Sequence, residues 1–183
     1  IVSPTVITSP SSTSGVVGTP LTYNITTAGT SPLAYGVQGS LPPGLSRSGT
    51  TISGTPTQAG TYEVTLSASN LDGTGSLKVF FVITDPAPTI NSSLAAQTIL
   101  VNEPFTYTIT ATNNPTGFSA NGLDLVGGLV LDTITGVISG TPLNEGDWVI
   151  LIRAENATGT GSDILELTIV PDISPEVNII TPA

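Results

Sequence analysis

Two carboxylate residues, Glu145 and Asp147, flank Gly146. Most glycoside hydrolases work with a pair of carboxyl groups, so this pair is the first place to look for catalysis. One carboxyl of such a pair must stay protonated near neutral pH, which requires a pocket that raises its pKa. The sequence here predicts an exposed turn in which both carboxylates are solvated. We therefore expect no hydrolytic chemistry from them.

The residue types used for nucleophilic catalysis are also missing. Serine is abundant, but the sequence contains no histidine and no cysteine. A Ser-His-Asp triad, a thiolate nucleophile and a cysteine-ligated zinc site are therefore excluded. The only lysine, Lys78, lies in a predicted strand. The sequence predicts a protein that is not an enzyme and that requires no cofactor.

The charge balance excludes further classes of partner. The 183 residues include 13 Asp+Glu against 3 Lys+Arg, a formal net charge of −10. Nucleic acids and anionic membranes are bound by clustered cations, so neither is an expected partner. Charged residues make up 9% of the chain, against about 25% in typical soluble domains, so Ser, Thr and Asn must do most of the solvating. This composition favours an extracellular, secreted protein over a cytosolic one.

No segment of the sequence predicts membrane insertion. The apolar run at residues 79–83, which no other run exceeds, is far shorter than the roughly 20 residues that span a bilayer. The sequence starts at Ile1 without a methionine or a basic leader. We expect a mature product or a fragment, with any export signal outside this sequence.

The sequence contains one internal repeat. The tetrapeptide SGTP at residues 53–56 recurs 86 residues later, at 139–142. The same shift relates Gly60 to Gly146, Tyr62 to Trp148, Ala68 to Ala154, Asn70 to Asn156, and GTGS at 73–76 to GTGS at 159–162. Upstream, PLTY at 20–23 matches PFTY at 104–107 with a shift of 84. The difference predicts a two-residue insertion in the second copy, between Tyr107 and Leu131.

The repeat defines the domains. The proline-rich segment DPAP at 85–88 separates the copies and predicts a short, semi-rigid linker. We predict one domain over residues 1–85 and a second over 86–172. Residues 173–183 resemble the linker and the first strand of a repeat, so they are expected to begin a third copy or to form a docking tail.

The pattern of apolar residues predicts β-strands. Pro and Gly occur throughout, and short segments alternate apolar with polar residues. The predicted core residues are Leu21, Tyr23, Ile25, Tyr62, Val64, Leu66, Ala68, Val79, Phe81 and Ile83 in the first copy, and Phe105, Tyr107, Ile109, Trp148, Ile150, Ile152, Ala154, Leu165, Leu167 and Ile169 in the second. The predicted fold class is all-β, with two tandem immunoglobulin- or cadherin-like antiparallel β-sandwiches of seven strands each.

Four segments of the first copy carry a family resemblance: LPPGL at 41–45, ISGTP at 52–56, GTY at 60–62 and ASNLDG at 68–73. They closely resemble the bacterial putative-Ig repeats, within the wider group of dystroglycan-type, cadherin-like modules. The second copy keeps GVISGTP at 136–142 but has GGL at 127–129 in place of the Pro-Pro-Gly segment. The resemblance implies a spacer, stalk or adhesive module of a large surface or secreted protein. Gly54 and Gly140 are expected to take backbone angles closed to other residues.

The cadherin-like resemblance also implies a calcium site at the junction between the domains. Calcium prefers six to eight oxygen ligands. The residues that could supply them are Asn70, Asp72, Asp85, Asn102 and Glu103. The match is incomplete, because the sequence has SGTP where cadherins carry an acidic cluster. The alternative is that Asn70, Asp72 and Gly73 build a hairpin turn.

Aromatic and exposed apolar residues suggest two kinds of interaction. Tyr62 and Trp148 share one register and are expected to be core anchors, with a sugar-binding platform as the alternative. In the last strand of the first copy, Phe80 and Val82 fall on the predicted outward face. Either the interdomain joint or a neighbouring loop covers them, or they form an interaction patch.

The sequence therefore predicts a non-catalytic extracellular spacer, stalk or adhesive module whose partners are neighbouring repeats of the same chain. One alternative is calcium-dependent, cadherin-like adhesion. Another is a subunit of a surface filament or layer that self-associates by strand addition from residues 173–183. Binding to a cell-surface protein or a glycan is a further alternative.

Overall fold

The computed structural model describes residues 5–29, 31–32 and 34–172, and the predicted tail over 173–183 lies outside them. The chain divides into two compact units, unit 1 over residues 1–86 and unit 2 over residues 87–183. Apart from one short helix, the regular elements are β-strands, so the predicted all-β class is confirmed.

The described residues of unit 1 form nine strands, several of them very short. They are β1 (Val6–Ile7), β2 (Ser12–Val16), β3 (Leu21–Asn24), β4 (Thr27–Ala28), β5 (Ala34–Gln38), β6 (Leu45–Ser48), β7 (Thr51–Gly54), β8 (Gly60–Asn70) and β9 (Gly73–Thr84). One sheet has the order β2-β9-β8-β5 and the other the order β3-β7-β6, with β1 paired to β4. Strand β2 runs parallel to β9, whereas the other pairs are antiparallel.

Unit 2 repeats this plan. Its elements are β10 (Gln97–Leu100), β11 (Phe105–Thr108), β12 (Gly117–Asn121), α1 (Leu123–Val126), β13 (Leu129–Leu131), β14 (Val137–Gly140), β15 (Gly146–Asn156) and β16 (Gly159–Val170). The sheets have the orders β10-β16-β15-β12 and β11-β14-β13, and β10 is parallel to β16. The single turn of helix α1, which buries Leu123 and Val126, was not predicted.

Each unit encloses its own apolar core between its sheets. The cores are built from the predicted alternating residues, with Ile52 and Ile138 as additional fully buried members. Along β9, buried Val79, Phe81 and Ile83 alternate with exposed neighbours, because successive side chains point to opposite faces of a strand. The two clusters share no residue, so the separate cores predicted from the repeat are present in the described part of the chain.

In each unit, two backbone segments approach closely at a pair of glycines. A Cβ on Gly44 would overlap the carbonyl oxygen of Thr55, and a Cβ on Gly54 would overlap that of Gly44. Unit 2 has the same arrangement between Gly128 and Gly140. We call each pair a glycine lock. Gly54 has a φ of 145° and Gly140 a φ of 137°, which confirms the predicted backbone angles.

The two-residue insertion of unit 2 does not lie where the sequence placed it. Leu131 pairs with Ile138 in unit 2, as Arg47 pairs with Ile52 in unit 1, so the extra residues fall between Leu131 and Ile138. The prediction of an insertion between Tyr107 and Leu131 is therefore wrong. A sequence signal for this register was available, because Gly44-Leu45 and Gly128-Leu129 differ by 84, which places the insertion after Leu129.

Candidate functional site

The paired carboxylates lie in solvent at the start of β15. Glu145 and Asp147 are both exposed, and the Thr168 hydroxyl donates a hydrogen bond of 2.7 Å to Asp147 Oδ1. A general acid with a raised pKa needs burial. The predicted turn at Gly146 is wrong, because Gly146 and Asp147 are the first two residues of β15. Both carboxylates are nevertheless exposed, so neither has the surroundings of a glycosidase acid.

Asn70 and Asp72, the first two calcium candidates, belong to the tight turn between β8 and β9. The Asn70 side-chain oxygen accepts backbone hydrogen bonds from Asp72, at 2.9 Å, and from Gly73, at 3.1 Å. Asn156 accepts the corresponding bonds from Thr158 and Gly159 in unit 2. An Asn side chain that bonds its own turn in this way stabilises a hairpin. The hairpin alternative therefore describes the role that these residues have in the structure.

The other candidates lie elsewhere. Asp85 follows the last residue of β9, whereas Asp72 precedes its first. A strand of 12 residues, rising about 3.3 Å per residue, separates them by more than roughly 35 Å. Asn102 and Glu103 lie in unit 2, in the turn after β10, beside the last residue of β16.

The backbone conformation at position 102 favours an asparagine. Its φ is 64°, and its N–H donates to the Pro142 carbonyl, as the N–H of Gly18 donates to Pro56 in unit 1. Asn tolerates this left-handed conformation better than most residues. Unit 1 holds Asn70, Asp72 and Asp85, and within it Asp85 lies far from the other two. In the described ranges no three Asp or Glu residues form a group that could hold a metal. Calcium binding stays a prediction.

The paired aromatic residues are core anchors, as expected. Tyr62 and Trp148 are half-buried and pack against the cores of their units. Each ring lies over a glycine: Tyr62 ring atoms come within 3.3 Å of a Cβ built on Gly60, and Trp148 ring atoms within 3.8 Å of one built on Gly146. The two glycines open β8 and β15. A ring that packs against the core leaves little of its surface free to stack against a sugar.

The predicted interaction patch lies on the outward face of unit 1. Phe80 and Val82 are each 39% exposed. Phe80 stands opposite Glu63, which forms an ion pair of 2.7 Å with Lys78. The patch is therefore an apolar pair beside an exposed ion pair, and its role in binding stays a prediction.

Unit 2 carries a second apolar group that the sequence analysis did not propose. Val149 is 65% exposed and Ile164 is 47% exposed, and Ile164 stands directly opposite Leu151 on the outward face. The signal was available in the uninterrupted apolar run at 148–152, where strict alternation would place polar residues at 149 and 151. Both units thus expose apolar side chains on their larger sheets.

Hydrogen bonds within a turn perturb the pKa of the Asp132 carboxyl group. Backbone hydrogen bonds from Ile134, at 2.9 Å, and Thr135, at 3.1 Å, hold its carboxylate in the turn between β13 and β14. These bonds favour the ionised form and lower the pKa of Asp132 from 3.8. The cause is local turn geometry, and it indicates no catalytic environment.

Comparison with protein families settles the identity of the two units. The model of the family described as Putative Ig domain matches residues 4–84 and again residues 87–170. The chain belongs to this family. The resemblance inferred from the SGTP motifs is thereby confirmed for both copies of this Putative Ig domain chain.

Solved structures give the same fold. Immunoglobulin domains 1–4 of Sidekick-1 match with a TM-score of 0.68 at 14% identity, covering 91% of this chain and 49% of that one. The titin I-band fragment I67–I69 matches with a TM-score of 0.60 at 16% identity, covering 93% and 67%. At such low identity these similarities show the fold alone, which is a tandem of immunoglobulin-like domains.

A third match is closer in sequence and covers less. A putative alpha-galactosidase from Bacteroides fragilis is 33% identical over 48% of this chain, with a TM-score of 0.42. The matched part is 18% of that protein. Among the curated proteins, none matches the chain. No helix within the described ranges has the length and apolar character of a membrane span.

Proposed function

We propose that the chain is a non-catalytic spacer of a secreted or cell-surface protein. The observation that carries this proposal is where the chain enters and leaves each unit. A Cβ on Gly75, near the start of β9, would overlap the carbonyl of Thr5, so the first described residue of unit 1 lies beside that end of the strand. It leaves after Thr84, nine residues further along, which corresponds to about 30 Å at 3.3 Å per residue.

Unit 2 keeps the same span. A Cβ on Gly161 would overlap the carbonyl of Pro88, and β16 ends nine residues later at Val170. Each unit therefore advances the chain by the same distance between its first and last described strands. A constant advance per repeat is what a spacer requires.

The terminal strands also suit a chain under tension. β2 and β9 are neighbours and run parallel, so a pull on the two ends of the unit slides one along the other. All the ladder bonds between residues 12–16 and 80–84 are then loaded together. Unit 2 loads residues 97–100 against 167–170 in the same way. Hydrogen bonds that must break together resist more force than bonds that open one after another.

Force spectroscopy on the whole chain tests this proposal. We expect two unfolding events, of which that of unit 1 releases at most about 290 Å, since unit 1 has 86 residues and an extended chain spans roughly 3.4 Å per residue. Val17→Pro removes the N–H that donates to the Thr84 carbonyl at 2.9 Å. It should lower the force of one event and leave the other unchanged.

The matched variants decide between shear and general destabilisation. Val101→Pro removes the equivalent bond to Val170 and should weaken the other event. Val17→Ala removes the same side chain but keeps the N–H, so its force should stay near that of the parent. Unfolding forces that do not respond to either proline would refute the spacer proposal in this mechanical form.

The proposal includes the absence of a cofactor requirement. The side-chain oxygen of Asn70 accepts hydrogen bonds from its own turn. The positive φ of Asn102 is likewise part of the turn that follows β10. A ligand bound only by the folded state raises its stability. A melting temperature that rises in millimolar calcium would therefore favour the cadherin-like alternative over a spacer that folds without metal.

Adhesion is the second candidate, and the outward apolar groups favour it. Exposed apolar side chains on both larger sheets could join copies of the chain. Sedimentation at increasing concentration tests this directly. Association that is lost in Phe80→Ser or Val149→Thr would support an adhesive or filament-forming role, and a monomer at all concentrations would exclude self-adhesion.

A further inference from the structure

Asn121 and Gly122 form the only Asn-Gly dipeptide of the sequence. Asn121 is the last residue of β12, an edge strand that pairs only with β15. Its side chain is exposed, and Gly122 has a φ of 94°. A strand end held from one side opens locally at low cost. An asparagine before glycine in such a place is exposed to attack by the following backbone nitrogen, because glycine has no Cβ to hinder it.

We propose that Asn121-Gly122 is a site of spontaneous deamidation. The backbone nitrogen of Gly122 attacks Cγ of Asn121, a new N–Cγ bond forms, and the Cγ–Nδ2 bond breaks. The amide proton leaves with the side-chain nitrogen as ammonia, which gives a five-membered succinimide. Water then opens the ring: at Cγ it leaves an aspartate, and at the backbone carbonyl it leaves an isoaspartate whose main chain runs through Cγ.

Unit 1 contains a natural comparison at the same structural position. Gln38 ends edge strand β5 opposite Thr65, as Asn121 ends β12 opposite Leu151. Gly39 has a φ of 100°, and a Cβ on it would come within 2.9 Å of the Glu63 carbonyl. The glycine is thus required by the turn in both units. The residue before the glycine differs between the two units, and glutamine must close a six-membered ring, which forms far more slowly.

The chain also contains a protected dipeptide of the same type. Asp72-Gly73 could form the same succinimide, with loss of water instead of ammonia. Here the attacking nitrogen donates a hydrogen bond of 3.1 Å to the Asn70 side chain. Gly73 also pairs with Asn70 in the β8–β9 ladder. The fold therefore restrains one of its two susceptible dipeptides.

Conversion at residue 121 has a structural consequence. An isoaspartate at residue 121 lengthens the main chain by one atom, two residues before Leu123, which is 5% exposed, and five before Val126, which is fully buried. The added atom displaces the turn that holds both side chains in the core of unit 2. Unit 2 should therefore lose stability with age, whereas unit 1 should not.

The test is to age the whole chain in mildly alkaline buffer and to map aspartate and isoaspartate by mass spectrometry. Conversion at residue 121 should exceed that at every other asparagine, and Asn121→Gln should remove it. Gln38→Asn should create a second site in unit 1. Asn70→Ala should raise isoaspartate at residue 72. In the aged parent, but not in aged Asn121→Gln, the fluorescence transition of Trp148 should move to lower denaturant.

A chain unfolded in urea serves as the reference for unrestrained chemistry. If that chain converts at residue 121 while the folded chain shows no more conversion there than at its other asparagines, the fold protects the site and the proposal is overturned. The same conclusion follows if Gln38→Asn creates no site in folded unit 1.

Discussion

Replacing Gly54 with alanine is a direct test of the glycine lock. The new Cβ would overlap the Gly44 carbonyl, and the φ of 145° is one that side-chain-bearing residues rarely adopt. The backbone conformation costs about 1–3 kcal/mol. Forcing β7 away from the segment around Gly44 costs about 1–3 kcal/mol more, as overpacking does in cores. We expect a total destabilisation of about 4 kcal/mol in unit 1.

That loss is comparable with the whole stability of the unit. At 0.05–0.15 kcal/mol per residue, 86 residues correspond to about 4–13 kcal/mol. Gly54→Ala should therefore leave unit 1 marginal or unfolded. Trp148, the only tryptophan, belongs to unit 2. Its fluorescence transition in denaturant should stay unchanged while circular dichroism loses the transition of unit 1.

Gly49→Ala is the matched control. Gly49 also has a positive φ, 57°, but nothing lies within 4 Å of a Cβ built on it. Its substitution isolates the backbone cost, about 1–2 kcal/mol for a left-handed residue. If Gly54→Ala costs no more than Gly49→Ala, the close approach of the two backbones contributes nothing and the lock is refuted.

Three other measurements examine single interactions. Tyr23→Phe should cost about 1 kcal/mol in denaturant titration, since the hydroxyl donates to the Pro10 carbonyl at 2.6 Å. Tyr107→Phe should cost more, because that hydroxyl contacts both Ser92 and the Ser93 carbonyl; an equal or smaller loss would contradict this. Because the folded state lowers the pKa of Asp132 below 3.8, its contribution to stability is present above that pH and declines as pH falls through the folded value. Asp132→Asn should remove this part of the pH dependence in unit 2, followed by Trp148 fluorescence between pH 2 and 5, and an unchanged profile would show that the turn is indifferent to the charge.

The sequence predicted the strand interiors well because their physics is local. Val64, Leu66 and Ala68 alternate with polar residues, and all three are buried in the structure. Period-two burial follows from strand geometry alone, so one sequence suffices to assign it. The internal repeat then doubled the evidence for each strand.

The contacts between distant segments were less predictable. Gly44 and Gly54 lie ten residues apart, and nothing in either motif shows that their backbones touch. The substitution of GGL for the Pro-Pro-Gly segment looked like a departure of unit 2 from the pattern. It preserves the glycine that the close backbone contact requires, because Gly128 occupies the place of Gly44. The sequence showed that the residues differ between the two copies, but it did not show which residue the packing requires.

The candidate ligand set was scattered for a similar reason. The resemblance to cadherin modules implied that Asp72 and Asp85 lie together at one junction. A strand of 12 residues intervenes. Extended chain carries residues apart faster than any other regular structure, so proximity in the sequence is a poor guide wherever long strands lie between the candidates.

The nine-residue interval between Gly75 and Thr84, repeated between Gly161 and Val170, bears on how such proteins evolve. A module whose ends are separated by a fixed strand can be duplicated or deleted without altering the modules beside it. The reach of a parent molecule would then change in equal steps through gains and losses of whole copies. Selection on length would act on the number of copies, and selection on the sequence of each copy would act to preserve the fold.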